Sequence, residues 1–328
     1  MEPRFSAARS APPGSATVQL VLVWNSPTGD LARMTQLAQL AKMIWRRAGQ
    51  RQDSQSSSVS YQPLIHSVWV NFQPVTFGRG ANTILGADWQ LLHGPALAWT
   101  RLGGADICFG PGSFLQVNHA AVERALQAIQ GFVPKAAAIV DLHAGLSLAA
   151  TREARSVRCV EINPQAEAHF KQSAACLLAG LEAADRTNHS SSTASGVVAH
   201  STRAGDSRSS SGGKSSSSGS TLPKLEYHVA AAGSNPGRWL EGAEVVIVDP
   251  PRKGLEPALL RFLASGEALG PHQGMQRLLY LSCGFPALMR DCDALLAGGQ
   301  WRLVHAQGFL FFPGTNHVET LVVFDRVP

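Results

Sequence analysis

From residue 118 onward the chain alternates between helix-forming and strand-forming segments, and two of its strands end in the same way. The runs Ala138-Ile-Val-Asp141 and Val245-Val-Ile-Val-Asp249 are uninterrupted apolar stretches that close on an aspartate. Strands buried on both faces have this composition, and they occur in parallel sheets that are covered by helices. The sequence therefore predicts an α/β fold with a doubly wound, mostly parallel sheet.

The positions of apolar residues divide this part of the chain into elements. The predicted helices lie at 118–130, 164–178, 255–264 and 285–297. The predicted strands lie at 137–142, 156–162, 225–229, 244–249, 277–282, 301–311 and 318–325. Because little chain separates the last two strands, we expect them to be antiparallel to each other.

The regions outside these elements differ in composition. Residues 17–117 combine a strand at 17–24, a helix capped by Asp30 and later β-type sequence, which predicts a small α+β module. Residues 1–16 are rich in Ala, Ser, Pro and Arg, so they form either a disordered terminus or a targeting segment. The Ser-rich segment 187–221 interrupts the domain at 118–328 and is predicted to be disordered, since it has little apolar surface to bury.

Charge and cysteine content exclude several classes of protein. The formal net charge of +5 permits a polyanionic partner, and the excess lies in residues 1–53 and 187–221. No apolar stretch approaches the roughly 18 residues of a membrane span, so no membrane association is expected. The five cysteines are odd in number and form no Cys-x-x-Cys pair, which argues against a metal site, an iron–sulfur cluster or a disulfide framework. Unpaired cysteines indicate a reducing compartment, either the cytoplasm or an organelle such as a chloroplast or mitochondrion.

Ligands of doubly wound sheets bind beyond the carboxyl ends of the strands, and four features of this sequence fall there. Asp141 is followed by a turn containing Gly145, which is either a nucleotide-binding loop or an ordinary strand-to-helix turn. Glu161 ends the next strand, where a carboxylate can hold ribose hydroxyls, although a surface glutamate would look the same.

The other two features suggest a site more directly. Asp249-Pro-Pro-Arg252 places two prolines after a buried strand, which gives a rigid turn that is either part of a site or a simple strand end. Cys283 ends an apolar strand before a predicted helix, where backbone N–H groups and the helix dipole lower the pKa of a thiol. This cysteine is a candidate nucleophile, and the alternative is a buried packing residue.

Seven short motifs, taken together, resemble those of the RNA uracil-C5 methyltransferase family, which makes 5-methyluridine in tRNA or rRNA. The resemblance covers roughly residues 66–324 without the Ser-rich insertion. The motifs are Ser113-Phe-Leu-Gln116-Val-Asn118, Asp141-Leu-x-x-Gly145, Val160-Glu161, Asp249-Pro-Pro-Arg252-x-Gly254, Tyr280-x-Ser-Cys283, Arg290-Asp291 and His317-Val-Glu319-Thr.

The resemblance implies a Rossmann-like class I methyltransferase fold, S-adenosylmethionine as cofactor and RNA as partner of a monomeric enzyme. It implies that Cys283 adds to carbon 6 of uracil and that Glu319 removes the proton from carbon 5. Because the ring is attacked on its face, the uridine has to be unstacked, and Phe114 and Arg252 are implied to position it. The residues implied to contact the cofactor are Gln116, His143, Leu148, Glu161 and Asp249.

The sequence departs from the family pattern at both loops. The cofactor loop usually reads Asp-x-Tyr-Cys-Gly-x-Gly, whereas His143, Ala144 and Ser147 stand at three of its positions. The nucleophile motif usually reads Ser-Cys-Asn-Pro, whereas Gly284 and Phe285 precede the proline here. The oligonucleotide-binding barrel and cluster-binding cysteines of many relatives have no counterpart, so RNA is expected to be held by the N-terminal module, by the catalytic face or by a separate protein.

Two other functions remain open at this point. A non-catalytic RNA-binding relative would keep the fold while its cofactor loop degenerates. A methyltransferase acting on an amino group is less compatible, because such a site has no need of Cys283 paired with Glu319 and usually has an aromatic residue where Arg252 stands.

Overall fold

The structure is a computed structural model that describes residues 18–24, 31–49, 63–73, 85–86, 88–116, 118–143, 153–192, 222–265 and 274–328. The chain divides into two compact units. The first comprises residues up to Arg101 together with Ile107–Leu115, and the second comprises Leu102–Asp106 and Gln116–Pro328.

The first unit contains a helix and a three-stranded sheet in the order β1-β2-β3, in which β1 and β2 are parallel and β3 is antiparallel to β2. Its elements are β1 (Val18–Trp24), α1 (Leu31–Ala48), β2 (Ile65–Phe72) and β3 (Asp88–His93). Leu37 of α1 packs with Val70 and Phe72 of β2 in a small core, as expected for an amphipathic helix covering a sheet. Asp30, the predicted cap of α1, lies outside the described residues.

Two short strands form a hairpin whose residues are divided between the units. They are β4 (Ala98–Leu102) and β5 (Ala105–Phe109), which pair only with each other among the described strands. Gly103 and Gly104 connect them with φ values of 56° and 80°, a left-handed turn that glycine adopts without strain.

The second unit is the predicted α/β domain. Its helices are α2 (His119–Phe132), α3 (Gln165–Ser192), α4 (Pro236–Leu240), α5 (Pro257–Ala264) and α6 (Phe285–Ala297). Its strands are β6 (Ala138–Leu142), β7 (Ser156–Glu161), β8 (Lys224–Val229), β9 (Val245–Val248), β10 (Arg277–Ser282), β11 (Trp301–Phe309) and β12 (Glu319–Arg326).

The seven strands form one sheet in the order β11-β12-β10-β9-β6-β7-β8. The five strands from β10 to β8 are parallel to one another, and β12 is antiparallel to both of its neighbours. This arrangement confirms the prediction of a doubly wound, mostly parallel sheet whose last two strands, β11 and β12, are antiparallel to each other.

Alternate residues of the central strands enter separate cores on the two faces of the sheet. Val246 and Val248 of β9 pack in one cluster with Tyr280, whereas Val245 and Ile247 pack in the other. Burial on both faces is the physical reason why these strands are continuous apolar runs rather than alternating ones.

One predicted boundary is wrong. The helix expected to end at residue 178 continues to Ser192, so residues 187–192 of the segment expected to be disordered are helical. Polar residues do not by themselves stop a helix, and no proline or glycine occurs between residues 181 and 192. The remaining residues of that segment, 193–221, lie outside the described residues. The sequence patterns also missed α4, which is too short to show a period.

The chain connectivity creates one crevice in the sheet. From β6 the chain proceeds through β7 to β8 on one side, and the next strand, β9, lies on the other side of β6. The carboxyl ends of β6 and β9 therefore flank a topological switch point, where doubly wound sheets bind ligands.

Candidate active site

Cys283 and Glu319 are brought together by the pairing of β10 with β12. Ser282, the last residue of β10, is paired with Thr320, so Cys283 and Glu319 are the next residues at the edge of this antiparallel ladder. Cys283 is partly exposed, whereas Glu319 is buried with 4% of its surface accessible. A thiol and a carboxyl group thus share one edge of the sheet although 36 positions separate them in sequence.

Asp249 follows β9 at the same edge. Val248 is paired with both Leu142 of β6 and Tyr280 of β10, and the N–H of Asp249 donates to the carbonyl of Leu142 over 3.3 Å. Burial, together with the negative charges of Asp141 and Glu319, raises the pKa of Asp249 to about 8. Because ionisation is costly here, this carboxyl group is suited to donate a hydrogen bond near neutral pH.

The pKa of the Cys283 thiol is shifted in the direction opposite to the one expected from its place before a helix. Burial raises the pKa of Cys283, and the charges of Glu319 and Asp249 raise it further. A hydrogen bond from its own backbone N–H and the positive charge of Arg252 act in the opposite direction but do not outweigh them. The expectation of a thiol pKa lowered at the start of α6 is therefore wrong.

Arg252 is exposed and acts on both groups. Its positive charge lowers the pKa of Glu319, which burial raises, and it also lowers the pKa of Cys283. The backbone of the Arg252 loop comes so close to Gly284 that a Cβ at position 284 would lie 2.4 Å from the carbonyl oxygen of Arg252. Glycine at that position allows the loop and the thiol segment to pack together.

A buried carboxylate, Asp291 of α6, ties the Arg252 loop to the strand that leads to the thiol. Its Oδ2 accepts hydrogen bonds from the hydroxyl of Tyr280 (2.8 Å) and the N–H of Leu255 (2.9 Å). Its Oδ1 accepts from the guanidinium of Arg290, which also donates to the carbonyl of Lys253. Asp291 belongs to the Arg290-Asp291 motif, which by itself assigns it no role, but an acid among the apolar positions of an amphipathic helix is a sequence signal of a buried polar network.

An open cleft of about 1060 Å³ lies in front of the thiol. Its lining residues come from the Arg252 loop, from the start of α6, from β11 and from the segment before β12. They are Arg252, Lys253, Cys283, Gly284, Phe285, Pro286, Ala287, Arg290, Ala306, Gln307, Gly308, Asn316, His317, Val318 and Thr320. Glu319, which is 4% exposed, is not one of these lining residues, but its chain neighbours Val318 and Thr320 are.

His143 lies at the carboxyl end of β6 in an unusual conformation. Its φ is +65°, a left-handed value that costs energy in a residue other than glycine. The Nε2 atom lies 3.1 Å from Oε2 of Glu256, and Nδ1 is buried without a hydrogen-bond partner among the described residues. Backbone strain of this kind is held by the surrounding structure and is concentrated at functional sites.

The other residues expected to contact a cofactor are placed as follows. Glu161 ends β7 beside the His143 segment, and its Oε1 accepts a hydrogen bond from the N–H of Asn163 over 2.8 Å. Gln116 belongs to the second unit, and its buried Oε1 has no hydrogen-bond partner among the described residues. An unpartnered buried oxygen and an unpartnered ring nitrogen fit a ligand that carries polar hydrogens and acceptors. Leu148 lies outside the described residues.

Phe114 belongs to the first unit, and 80% of its surface is accessible. Within the described residues the structure contains no group of three or more side chains that could hold a metal ion. No helix of the described part of the chain is long and apolar enough to cross a membrane.

Comparison with known proteins finds that the chain is similar to proteins named RNA methyltransferases. No family profile matches it. An RNA methyltransferase of Protochlamydia amoebophila, named as uncharacterized, is 26% identical over 315 residues, which are 95% of this chain and 65% of that protein. The 23S rRNA (uracil(1939)-C(5))-methyltransferase RlmD of Polynucleobacter necessarius is 28% identical over 271 residues, 80% of this chain and 46% of that enzyme. The chain thus spans about half to two thirds of the length of these relatives.

A solved structure supports the fold. The Pyrococcus abyssi tRNA (uracil-54, C5)-methyltransferase, in complex with S-adenosyl-L-homocysteine, matches with a TM-score of 0.52 and 18% identity over 79% of this chain and 51% of that one. The similarity to RNA methyltransferases expected from the seven motifs is therefore confirmed, and so is the Rossmann-like fold.

Proposed function

We propose that the chain transfers a methyl group from S-adenosylmethionine to carbon 5 of a uridine in tRNA or rRNA. The observation that carries this proposal is that Cys283 lines an open cleft and that Glu319 is its neighbour at the end of the ladder between β10 and β12. The relatives named as uracil-C5 methyltransferases support the same reaction.

Carbon 5 of uracil needs activation, and the chain offers a nucleophile for it. The thiolate of Cys283 adds to carbon 6, and the electron pair of the 5,6 double bond makes carbon 5 nucleophilic. S-adenosylmethionine, when bound, supplies the methyl group that carbon 5 accepts. Glu319 then takes the proton from carbon 5, the double bond re-forms and the thiolate of Cys283 leaves. Release of that proton from Glu319 to solvent and uptake of a proton by the thiolate return the enzyme to its starting state.

The pKa of Glu319 supports its role as a base, whereas the pKa of Cys283 adds a requirement for its role as a nucleophile. Burial raises the pKa of Glu319, which makes its carboxylate a stronger base than one in water. The raised pKa of Cys283 keeps the thiol protonated at neutral pH, so addition to uracil requires loss of that proton. Arg252 favours the ionised form of both groups, and its exposed side chain is available to a carbonyl oxygen or phosphate of the substrate.

Several residues have the right chemistry to hold the cofactor. Gln116 and His143 each carry a buried polar atom without a partner among the described residues. Glu161 stands at the end of β7, the position from which a carboxylate binds ribose hydroxyls in this class of sheet. Asp249, with its raised pKa, would face the reacting base or the methionine part of the cofactor. Leu148 is included among the proposed cofactor contacts only because of the family resemblance.

Helix α1 supports RNA as the partner. It carries Arg33, Lys42, Arg46 and Arg47 with exposed side chains, and its sequence contains no acidic residue. A helix with this charge pattern attracts phosphate groups, and binding of this kind weakens as salt is added.

The test is to map 5-methyluridine across total RNA from cells with and without the protein. The proposal expects one or a few sites that lose the methyl group when the protein is absent and regain it when the gene is restored. Calorimetry with S-adenosylmethionine separates the enzyme from a non-catalytic RNA-binding relative. Lack of heat of binding at millimolar cofactor, together with unchanged RNA, would favour the non-catalytic alternative.

A further inference from the structure

Phe285 is an aromatic residue in an unexpected place. It is the first residue of α6, two positions after Cys283, and 55% of its surface is accessible. It lines the same cleft as the thiol. We propose that Phe285 is a stacking surface for the base next to the reacting uridine, an inference that rests on the proposed function and specifies which RNA segment the cleft accepts.

The backbone around Phe285 is well fixed. Gly284 precedes it in close contact with the Arg252 loop, and Pro286 follows it in the first turn of α6. Ala287 and Leu288, the next residues, are buried. Because the residues on both sides are fixed, the backbone at Phe285 needs little ordering when a base stacks on the ring.

The charges around the ring favour a nucleic acid over an apolar partner. Arg252, Lys253 and Arg290 line the cleft, and none of the described residues that line it is an aspartate or glutamate. Arg290 is anchored on Asp291 with 60% of its side chain accessible, so part of its guanidinium remains open to solvent. An aromatic surface flanked by cations is the arrangement by which proteins bind single-stranded RNA, since the ring stacks a base while the cations contact phosphates.

A neighbouring residue provides a matched control. Met289 lies one turn further along α6 and is 46% exposed, yet it does not line the cleft. If exposed apolar surface on this helix only added non-specific affinity, Met289 and Phe285 would contribute alike. If Phe285 is the stacking surface, it alone contributes affinity for the base next to the uridine.

The experiment measures direct binding of the full chain to two fluorescent single-stranded RNA heptamers. Both carry uridine at the centre and adenosine elsewhere, but the second has abasic nucleotides on either side of the uridine. Stacking on an aromatic residue corresponds to about 5- to 140-fold in affinity per base. We expect the wild-type protein to bind the adenine-flanked heptamer more tightly by a factor in this range.

Three variants test whether the difference in affinity between the two heptamers depends on Phe285. Phe285→Ala should bind both heptamers equally, whereas Phe285→Trp and Met289→Ala should retain the preference. Equal binding by the wild-type protein, no binding to either heptamer, or a preference that survives in Phe285→Ala would overturn the inference. Because affinity is measured without cofactor or turnover, a preference that depends on Phe285 in a protein that fails to methylate RNA would support the stacking surface and contradict the proposed function alone.

Discussion

Cys283 and Glu319 lie side by side at the edge of the sheet, and the negative charge of the carboxylate raises the pKa of the thiol. Ionisation of one group therefore opposes ionisation of the other. A site of this kind favours one negative charge at a time, which matches the order in which the proposed reaction uses a thiolate first and a carboxylate later.

The first prediction concerns the nucleophile. Cys283→Ala should form no covalent complex with RNA that contains 5-fluorouridine, because fluorine at carbon 5 blocks release of the attached thiolate in the wild-type protein. The complex is measured as a shifted band on a denaturing gel. Cys176→Ala, which removes another partly exposed cysteine, should retain the complex. An undiminished band in Cys283→Ala would exclude this residue as nucleophile.

A second prediction separates the base from the nucleophile. Glu319→Gln should keep the ability to form the covalent complex but should release methylated product slowly, because the amide cannot accept the proton from carbon 5. RNA that contains ordinary uridine instead of 5-fluorouridine should therefore accumulate in a covalent complex with this variant. The complex should resist denaturation and carry the methyl group, which mass spectrometry detects. Glu241→Gln changes an exposed carboxylate in a turn and should behave as the wild-type protein. Normal turnover by Glu319→Gln would remove this residue from the role of base.

The third prediction concerns the buried network that supports the Arg252 loop. Asp291→Ala leaves the Tyr280 hydroxyl and the Leu255 N–H without their acceptor, so the free energy of unfolding should fall by about 3 kcal/mol. Tyr280→Phe, which removes one of these bonds, should cost about 1 kcal/mol. Asp293→Ala on the exposed side of the same helix should change stability by no more than about 0.5 kcal/mol. Urea unfolding followed by circular dichroism measures all three, and equal midpoints for Asp291→Ala and Asp293→Ala would contradict the network.

The fourth prediction uses the raised pKa of Asp249. Below the ordinary value of 3.8 the group is protonated in both the folded and the unfolded chain, and above it the unfolded chain loses the proton while the folded chain keeps it up to about pH 8. Stability should therefore fall as the pH rises through this window, with a slope of up to about 1.4 kcal/mol per pH unit from this group. Asp249→Asn should lose less stability over the same window than the wild-type protein.

An aspartate with the opposite shift serves as the comparison for that measurement. The Arg277 guanidinium lowers the pKa of Asp325, which accepts its hydrogen bond at 2.6 Å. This group stabilises the fold at neutral pH, and its contribution is lost as the pH falls through the folded pKa. Asp325→Asn should thus be destabilised at neutral pH and approach the wild-type protein in acid. Identical pH profiles for the wild-type protein and Asp249→Asn would show that Asp249 ionises normally.

The strands of the sheet could be predicted well from the sequence, because each strand is identified by residues that are consecutive in the chain. The apolar runs before Asp141 and Asp249 mark strands buried on both faces, and a carboxylate directly after such a strand lies at the ligand-binding edge. The ladder that puts Glu319 next to Cys283 is not local, and it is known from the sequence only through resemblance. The predicted direction of the pKa shift of Cys283 was wrong for the same reason. The burial of the thiol and the charges of Asp249 and Glu319, which raise its pKa, depend on other strands of the sheet.

Helix α3 shows a different limit. Its periodicity weakens towards the Ser-rich segment, yet the helix continues to Ser192 because neither glycine nor proline stops it. The Asp291 network was missed because its partners, Tyr280 and Leu255, meet only when α6 packs on β10 and on the Arg252 loop.

Thr320 is paired with Ser282 on one side and with Gly308 on the other, so β12 lies between two strands. The carboxyl group next to it belongs to an interior strand and not to a loop, and two ladders of backbone hydrogen bonds would have to break before it could move away from the thiol. The sheet therefore fixes the backbone positions of Ser282 and Thr320, which precede Cys283 and follow Glu319. In the proposed reaction the uridine would therefore have to adapt to the position of this strand, and the cost of that adaptation would fall on the RNA.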